Sequence, residues 1–259
     1  MSVFRFRKFS VDDSLCGMKT GTDGVLLGAW SPLPSSLLSG GRCLDIGTGS
    51  GLIALMLAQR TAEASEKALQ SGGTRILGID ISADCVRQAR LNFASSPWAD
   101  RLVAEECDLR AFGSSRLAEE NTLFDLIVSN PPFFTNSLRN PDISRSTARH
   151  DDTLPLTAIL SFAASRLSPS GGLALVLPAG SLTRLTEETE RLNLAFERTT
   201  HVRTRAGKEA KRVLVYLTLG ASGSAEQNNP PLCDELVLTD NDGEPRSRAY
   251  RNLTKDFYL

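Results

Sequence analysis

The sequence predicts an α/β fold: a doubly wound, mostly parallel sheet with an antiparallel hairpin at one edge. Three observations carry this. From Arg42 onward, short runs rich in Val, Ile and Leu alternate with longer helical stretches, the rhythm of βαβ units. The first such run ends in a glycine-rich turn, CLDIGTGSGL, that leads directly into an apolar helical stretch. Late in the chain, two further apolar runs at 196–203 and 212–219 are joined by a basic loop of hairpin length.

Each element follows from local chemistry. In VFRFRKFSV, Phe4 and Phe6 alternate with Arg5 and Arg7, the period of a half-buried strand, and the slip at Lys8–Phe9 reads as a bulge. KTGTDGVLLGAW reads as a polar loop entering a short apolar helix. Core strands are expected at 43–46, 75–79, 102–106, 124–129 and 173–177, and helices at 51–59, 83–93, 156–167 and 181–193. Residues 61–74 are polar and end in Gly-Gly, a helix extension followed by a loop. The whole reads as one domain over 1–259: an N-terminal strand-and-helix addition (1–40), a core (41–219), a flexible linker (220–231, rich in Gly, Ser and Asn) and a C-terminal addition (232–259) whose apolar residues dock on the body.

Bulk properties exclude several classes. Hydrophobic residues are 41% of 259 and charged residues 23%, enough for a substantial core in a water-soluble chain. The formal net charge of −1 gives no global attraction to nucleic acid, so any such contact must be local. Five scattered cysteines without a CxxC pair point to reduced thiols in a cytoplasmic protein. With two histidines, a histidine-based metal site is not expected either. No stretch has signal-peptide character or membrane-spanning length.

Gly47, Gly49 and Gly51 lie between a strand and a helix, where glycine permits positive φ and lets a ligand lie against the backbone. The spacing is GxGxG, not the GxGxxG of a dinucleotide fingerprint. Asp45, on the strand just before it, would repel a pyrophosphate but suits a cationic ligand. LDIGTGSG resembles the first motif of class I methyltransferases, whose Rossmann-like sheet binds S-adenosylmethionine, a sulfonium with an ammonium group. Asp80, ending the next strand in LGIDIS, can accept from both ribose hydroxyls, with Ile81 beside it, while Ser82 is placed to cap the following helix. Asp108 can accept from an adenine amino group, flanked by Leu109 or Cys107.

The run IVSNPPFF ends a core strand on an amide and two prolines. Proline cannot continue a central strand, so the chain leaves the sheet on a stiff path. NPPF resembles the catalytic motif of amino-methyltransferases acting on planar nitrogens. Such a nitrogen is not basic, because its lone pair is delocalised. Two acceptors aimed at its two hydrogens, the Asn130 side-chain oxygen and the Pro131 carbonyl, favour localisation of that pair. Pro132 stiffens the corner and Phe133 can stack on the flat substrate. The motif alone leaves adenine N6, guanine N2 and a glutamine amide open.

Beyond these motifs, MKTGTDGVLLGAW, the Phe-rich N-terminal strand and the ending LTKDFYL resemble the bacterial tRNA1(Val) adenine-37 N6-methyltransferase family over essentially the full chain. The resemblance implies a monomeric, metal-independent enzyme acting on an anticodon-loop adenine. Carried over residue by residue, Asn130, Pro131, Pro132 and Phe133 take the catalytic motif. Asp45, Gly47, Gly49, Asp80 and Asp108 take the cofactor positions, and Thr22 and Asp23 cover the methionine end. Residues 61–74 are the main departure. RNA requires local positive charge. The candidates are Arg5, Arg7 and Lys8; Arg139, Arg145, Arg149 and His150; and Arg203, Arg205, Lys208, Lys211 and Arg212. Two rivals are a protein glutamine methyltransferase, whose family places a helical domain before the cofactor domain where this chain has about 40 residues, and a non-catalytic RNA-binding protein. The intact NPPF segment favours catalysis over the second.

Overall fold

In the central strands nearly every side chain is apolar, and successive side chains point to opposite faces. Such strands need cover on both sides. Cys43, Leu126, Val128, Ala174 and Val176 face one core, and Leu44, Ile46, Ile127, Leu173 and Leu175 face the other. The computed structural model describes residues 3–64, 73–114, 122–132, 155–220, 230–240 and 244–258. Its sheet has eight strands in the order β10-β8-β9-β7-β6-β3-β4-β5. These are β3 (Arg42–Ile46), β4 (Arg75–Asp80), β5 (Leu102–Glu106), β6 (Phe124–Ser129), β7 (Leu167–Pro178), β8 (Leu194–Arg205), β9 (Ala210–Leu219) and β10 (Leu232–Thr239). Strands β7, β6, β3, β4 and β5 are mutually parallel, and β9 is antiparallel to both β7 and β8.

The helices are α1 (Thr22–Trp30), α2 (Ser35–Leu38), α3 (Leu52–Ala64), α4 (Ala83–Ala94), α5 (Leu156–Arg166), α6 (Leu182–Arg191) and α7 (Arg248–Thr254). The Ser82 hydroxyl accepts from the Cys85 N–H, capping α4 as expected from sequence. Buried residues of α1, α3 and α4 belong to the first core; those of α5 and α6 belong to the second.

Helix α1 lies on α3 through two glycines one turn apart. A Cβ on Gly24 would come 3.1 Å from Leu52, and one on Gly28 would come 2.7 Å from Met56 Sδ and 3.0 Å from its Cβ. This explains TDGVLLGAW: its glycines permit close helix contact while Val25, Leu26 and Leu27 fill the core. Arg60 of α3 then donates to the carbonyls of Gly28 and Ser31, satisfying the carboxyl end of α1. Burial lowers the Arg60 pKa to about 10, so the guanidinium stays charged at neutral pH.

Two features differ from the sequence expectation. The N-terminal stretch is not one bulged strand but a small antiparallel hairpin, β1 (Val3–Arg5) with β2 (Ser10–Asp12). The Phe6 N–H donates to the Phe9 carbonyl, closing a tight turn, and their rings stack at 4.7 Å. Bringing the two rings together buries both, which a straight strand could not do. The C-terminal segment also does more than dock: β10 pairs in parallel with β8, one strand beyond the β8–β9 hairpin. Most of the linker at 220–231 lies outside the described residues, as does 65–72 of the polar insertion.

The α1–α3 contact predicts that Gly28→Val destabilises the fold by about 1–3 kcal/mol, the cost of overpacking. Gly180→Ala, where nothing lies within 4 Å of the new Cβ, should be near neutral. Denaturant titration of both variants checks this.

Candidate active site

Strand order reverses at β3: the chain passes from β3 to β4 on one side, while β6 flanks β3 on the other. A crevice beyond the carboxyl ends of the strands is expected at such a point. A cleft of about 760 Å³ lies there. It is lined by the Gly47–Ser50 loop after β3, Asp80–Ser82 after β4, Cys107–Arg110 after β5 and Asn130–Pro132 after β6. Residues 16–24 and Arg212 also line it.

Gly47 and Gly49 have φ of +71° and +55°, and nothing stands within 4 Å of the position a Cβ would take. Left-handed backbone facing open space is what close approach of a ligand requires. Gly51 differs. At φ +81° a Cβ would lie 2.4 Å from the Phe93 ring, so this glycine serves packing of the loop on α4, and it does not line the cleft.

The four carboxylates singled out from sequence sit in four different settings. Asp80 is held by two backbone donors, the N–H of Gly49 at 3.0 Å and of Ser82 at 2.9 Å, which aim it along the cleft. Asp45 lies fully buried beneath the loop and outside the cleft lining. It accepts from the Thr48 hydroxyl at 2.8 Å, and its Oδ1 has no hydrogen-bond partner. Burial pushes its pKa up to about 7, with the Asp80 charge a smaller contribution. Asp108 is gripped by Arg110, whose Nη2 lies 2.7 Å from Oδ2, and these bonds hold its carboxyl below the usual range. Asp23, in the first turn of α1, accepts from Arg212 Nε at 2.8 Å.

Of the remaining candidates, Thr22 begins α1 at the cleft wall, Ile81 is 54% exposed at the cleft, and Leu109 is buried at its edge. Met18, 56% exposed, also lines it. Phe133 lies outside the described residues, as do Arg139, Arg145, Arg149 and His150.

The three basic clusters fare differently. Lys8 pairs with Glu63 at 2.6 Å near the far end of α3, roughly 16 Å down the helix from the glycine loop at 1.5 Å per residue. The Arg7 N–H donates to the Phe257 carbonyl and its guanidinium to that of Tyr258, so Arg7 ties the N-terminal hairpin to the C-terminal tail. Arg5 is exposed on β1. Arg203 is engaged by Glu235 at 2.7 Å and by the Lys208 carbonyl. Arg205, Lys208 and Lys211 are exposed around the β8–β9 turn. That turn lies at the cleft end of the sheet, since Arg212 pairs with Pro178 at the carboxyl end of β7.

Sequence reasoning missed the wall made by residues 16–21. It is cinched by buried Asp13, which accepts from the Thr20 N–H at 2.7 Å and lies 3.8 Å from the Lys19 ammonium. An acid six residues before a lysine was its only trace in the sequence. Arg110 was also missed; its place two residues after Asp108 allows the fork geometry.

The fold and this cleft define a class I S-adenosylmethionine-dependent methyltransferase, and residues 37–213 match the model of a methyltransferase domain. The chain is 41% identical over 256 residues to a tRNA1(Val) (adenine(37)-N6)-methyltransferase of Porphyromonas gingivalis, covering 99% of this chain and 94% of that one. It is 39% identical over 258 residues to one of Aeromonas hydrophila, covering 100% and 98%. The chain belongs to the tRNA1(Val) (adenine(37)-N6)-methyltransferase family. The fold is shared with a predicted O-methyltransferase from Agrobacterium tumefaciens at TM-score 0.61 and 17% identity, covering 91% of this chain and 96% of that one. It is also shared with a T. thermophilus 16S rRNA N2 methyltransferase, solved with AdoMet and guanosine, at TM-score 0.52 and 20% identity, covering 84% and 50%.

Among the described residues no cluster of His, Cys, Asp or Glu could hold a metal ion, and no helix is long and apolar enough to cross a membrane.

Two predictions follow from the carboxylates. Asp80→Ala should weaken S-adenosylmethionine binding by about 1.5–3 kcal/mol, the scale of hydrogen bonds to a charged group; calorimetry on the folded variant checks it. Asp45, with its folded pKa raised, contributes stability that is fully present below the unfolded value of 3.8 and is lost as pH rises through about 7. Each unit of raised pKa corresponds to about 1.4 kcal/mol. Asp45→Asn should therefore be more stable than wild type at pH 8 and lose that advantage at pH 4, read from paired denaturant titrations.

Proposed function

We propose that this protein transfers a methyl group from S-adenosylmethionine to the N6 amino group of the adenine at position 37 in the anticodon loop of tRNA1(Val). The observation that carries this reading is the place of Asn130 and Pro131. They follow β6 at the cleft, directly beside the glycine loop that follows β3. The named activity of relatives spanning the whole chain supports the choice of adenine over guanine or glutamine.

S-adenosylmethionine supplies an electrophilic methyl group on a sulfonium. In this reading the protein's own groups do the rest. Asp80 takes the ribose hydroxyls, its carboxylate already oriented by two backbone N–H groups. The open backbone of Gly47 and Gly49 admits the ligand, and Asp23 with Thr22 receives the methionine end. Ile81, Met18 and Leu109 offer apolar surface to a flat ring, and Asp108 accepts from the adenine amino group while sharing its lone pairs with Arg110. Asp45 acts from below by fixing Thr48 and the loop.

At the substrate end, the Asn130 oxygen and the Pro131 carbonyl accept from the two amino hydrogens, so the nitrogen lone pair turns toward the methyl carbon. Preorganised acceptors stabilise this change in the transition state more than in the ground state. From its place in the NPPF motif, Phe133 is the sequence candidate for stacking on the base. A loop adenine must be splayed out to enter, which costs less than extraction from a duplex. The exposed cations Arg205, Lys208 and Lys211 dock the RNA backbone from the turn beside the cleft. The enzyme acts as a monomer in the cytoplasm.

Asn130→Ala should lose about 10²-fold or more in single-turnover rate, comparable with loss of one preorganised polar group, with cofactor affinity little changed. Turnover within a few-fold of wild type would remove the catalytic role. Replacing Arg205, Lys208 and Lys211 together by Ser should weaken tRNA binding and flatten its salt dependence. Each lost phosphate contact should lower the log–log slope by roughly 0.7–0.9. Equal slopes for the triple variant and wild type would mean that these cations face solvent.

A further inference from the structure

Asp108 is oriented differently from the acids nearest to it in the site. Asp80 is aimed by backbone N–H groups of two loops, and buried Asp45 is held by the Thr48 hydroxyl. Asp108 is gripped by one residue two places along the chain. Arg110 donates Nε to both carboxylate oxygens at 3.0 Å, Nη2 to Oδ2 at 2.7 Å, and its backbone N–H to Oδ1 at 2.9 Å. Leu109, between the two, is buried and anchors the backbone that carries both side chains. The Arg110 side chain is 58% exposed. An ion pair this exposed adds little to folding stability, yet both of its members line the cleft.

We propose that Arg110 is a positioning residue that sets the base specificity of the cofactor site: by clamping Asp108 it fixes an acceptor-only carboxylate toward a 6-amino purine and selects against a 6-oxo purine. This rests on the reading above, in which Asp108 accepts from the adenine amino group of S-adenosylmethionine. The argument is one of donor and acceptor order. Adenine presents an amino donor beside a ring-nitrogen acceptor. Hypoxanthine presents a carbonyl acceptor beside a ring N–H donor. An ionised carboxylate only accepts. A carboxylate free to swing can serve either base, by turning from the amino group of one to the ring N–H of the other. One gripped by a planar fork keeps its plane and its place. The same bonds hold the Asp108 carboxyl below its usual range, which keeps it in the accepting form. Oδ1 already takes the Arg110 N–H and Nε, while Oδ2 takes Nη2 and shares Nε, so the capacity left for a ligand hydrogen lies mainly on Oδ2.

The test is calorimetric affinity for S-adenosylhomocysteine and for S-inosylhomocysteine, which differ only at the base edge. Wild type, Arg110→Gln, Arg110→Lys, Asp108→Ala and the double variant Arg110→Gln with Asp108→Ala are compared. Wild type should prefer the adenine ligand. Asp108→Ala should weaken that ligand by about tenfold, the low end for a hydrogen bond to a charged group. Arg110→Gln should weaken it by about threefold or more, the low end for coupling between residues in contact, and leave the inosine ligand unchanged or tighter. Arg110→Lys, which keeps the charge but not the fork, should not restore the preference. In the Asp108→Ala background, Arg110→Gln should cost nothing further, because Arg110 acts through Asp108.

Four results would overturn the proposal. Arg110→Gln could leave both affinities as in wild type. It could weaken the two ligands equally, or weaken them further in the Asp108→Ala background, which would make Arg110 a direct ligand contact. Arg110→Lys could restore the preference in full, so that charge alone suffices. Or wild type could bind the two ligands alike. If Asp108→Ala itself binds S-adenosylhomocysteine as wild type does, the assignment of Asp108 to adenine falls, and the positioning role with it.

Discussion

The structure depends on the pairing of β3 with β6. Their parallel ladder ends at Ile46 opposite Ser129, and the Ser129 hydroxyl donates to the Ile46 carbonyl at 2.8 Å, locking the two strand ends together. Gly47 and Asn130 each stand one residue past this last rung. The glycine loop and the proline corner therefore leave the sheet side by side, although 83 residues separate them in sequence. Both strands are buried along nearly their whole length, so slipping the register would expose apolar side chains on both faces. The alignment that methyl transfer requires is thus a consequence of core packing, and proximity of this kind can supply much of a barrier reduction.

The second constraint is the approach of α1 to α3. Gly24 and Gly28 bring the start of α1 over the glycine loop, and the buried Asp13 folds the preceding segment into a wall. The N-terminal hairpin is in turn held by the C-terminal tail, through Phe6 against Tyr258 and Arg7 to the carbonyls of Phe257 and Tyr258. The two ends of the chain thus pack on each other, and residues 16–24, which follow the hairpin, form one side of the cleft. Of the most distinctive parts of the family resemblance, the TDG segment lines the cleft and the DFYL ending holds the N-terminal hairpin.

Much of this was legible in the sequence because it rests on local rules. Strand–helix alternation, the glycine loop, the Ser82 cap and the NPP corner each follow from a few adjacent residues, and each appears where expected. What was not legible depends on contacts between distant segments. The parallel pairing of β10 with β8 has no local signature, because Leu232–Thr239 (LCDELVLT) is a short run without clean alternation that follows a linker. The N-terminal hairpin is hidden in the sequence because its turn uses Arg7 and Lys8 with no glycine, asparagine or proline to mark it. The charged clusters looked alike in sequence, yet Lys8 and Arg203 are held by acids from other elements, Arg212 turns into the cleft, and Lys211 remains exposed. Gly51 and Asp45, grouped with the ligand-facing residues from sequence, support the loop from behind.

The central claim is that the cleft joining the β3 loop to the β6 corner methylates one exocyclic amino group of one loop adenine. The direct measurement is mass spectrometry of nuclease fragments of tRNA1(Val) after incubation with the purified protein and S-adenosylmethionine carrying a labelled methyl group. A parallel reaction uses tRNA in which guanine replaces adenine at position 37. The account predicts N6-methyladenosine confined to the anticodon-loop fragment and no label in the substituted tRNA. Label on guanine, on another adenine or on protein alone would contradict it.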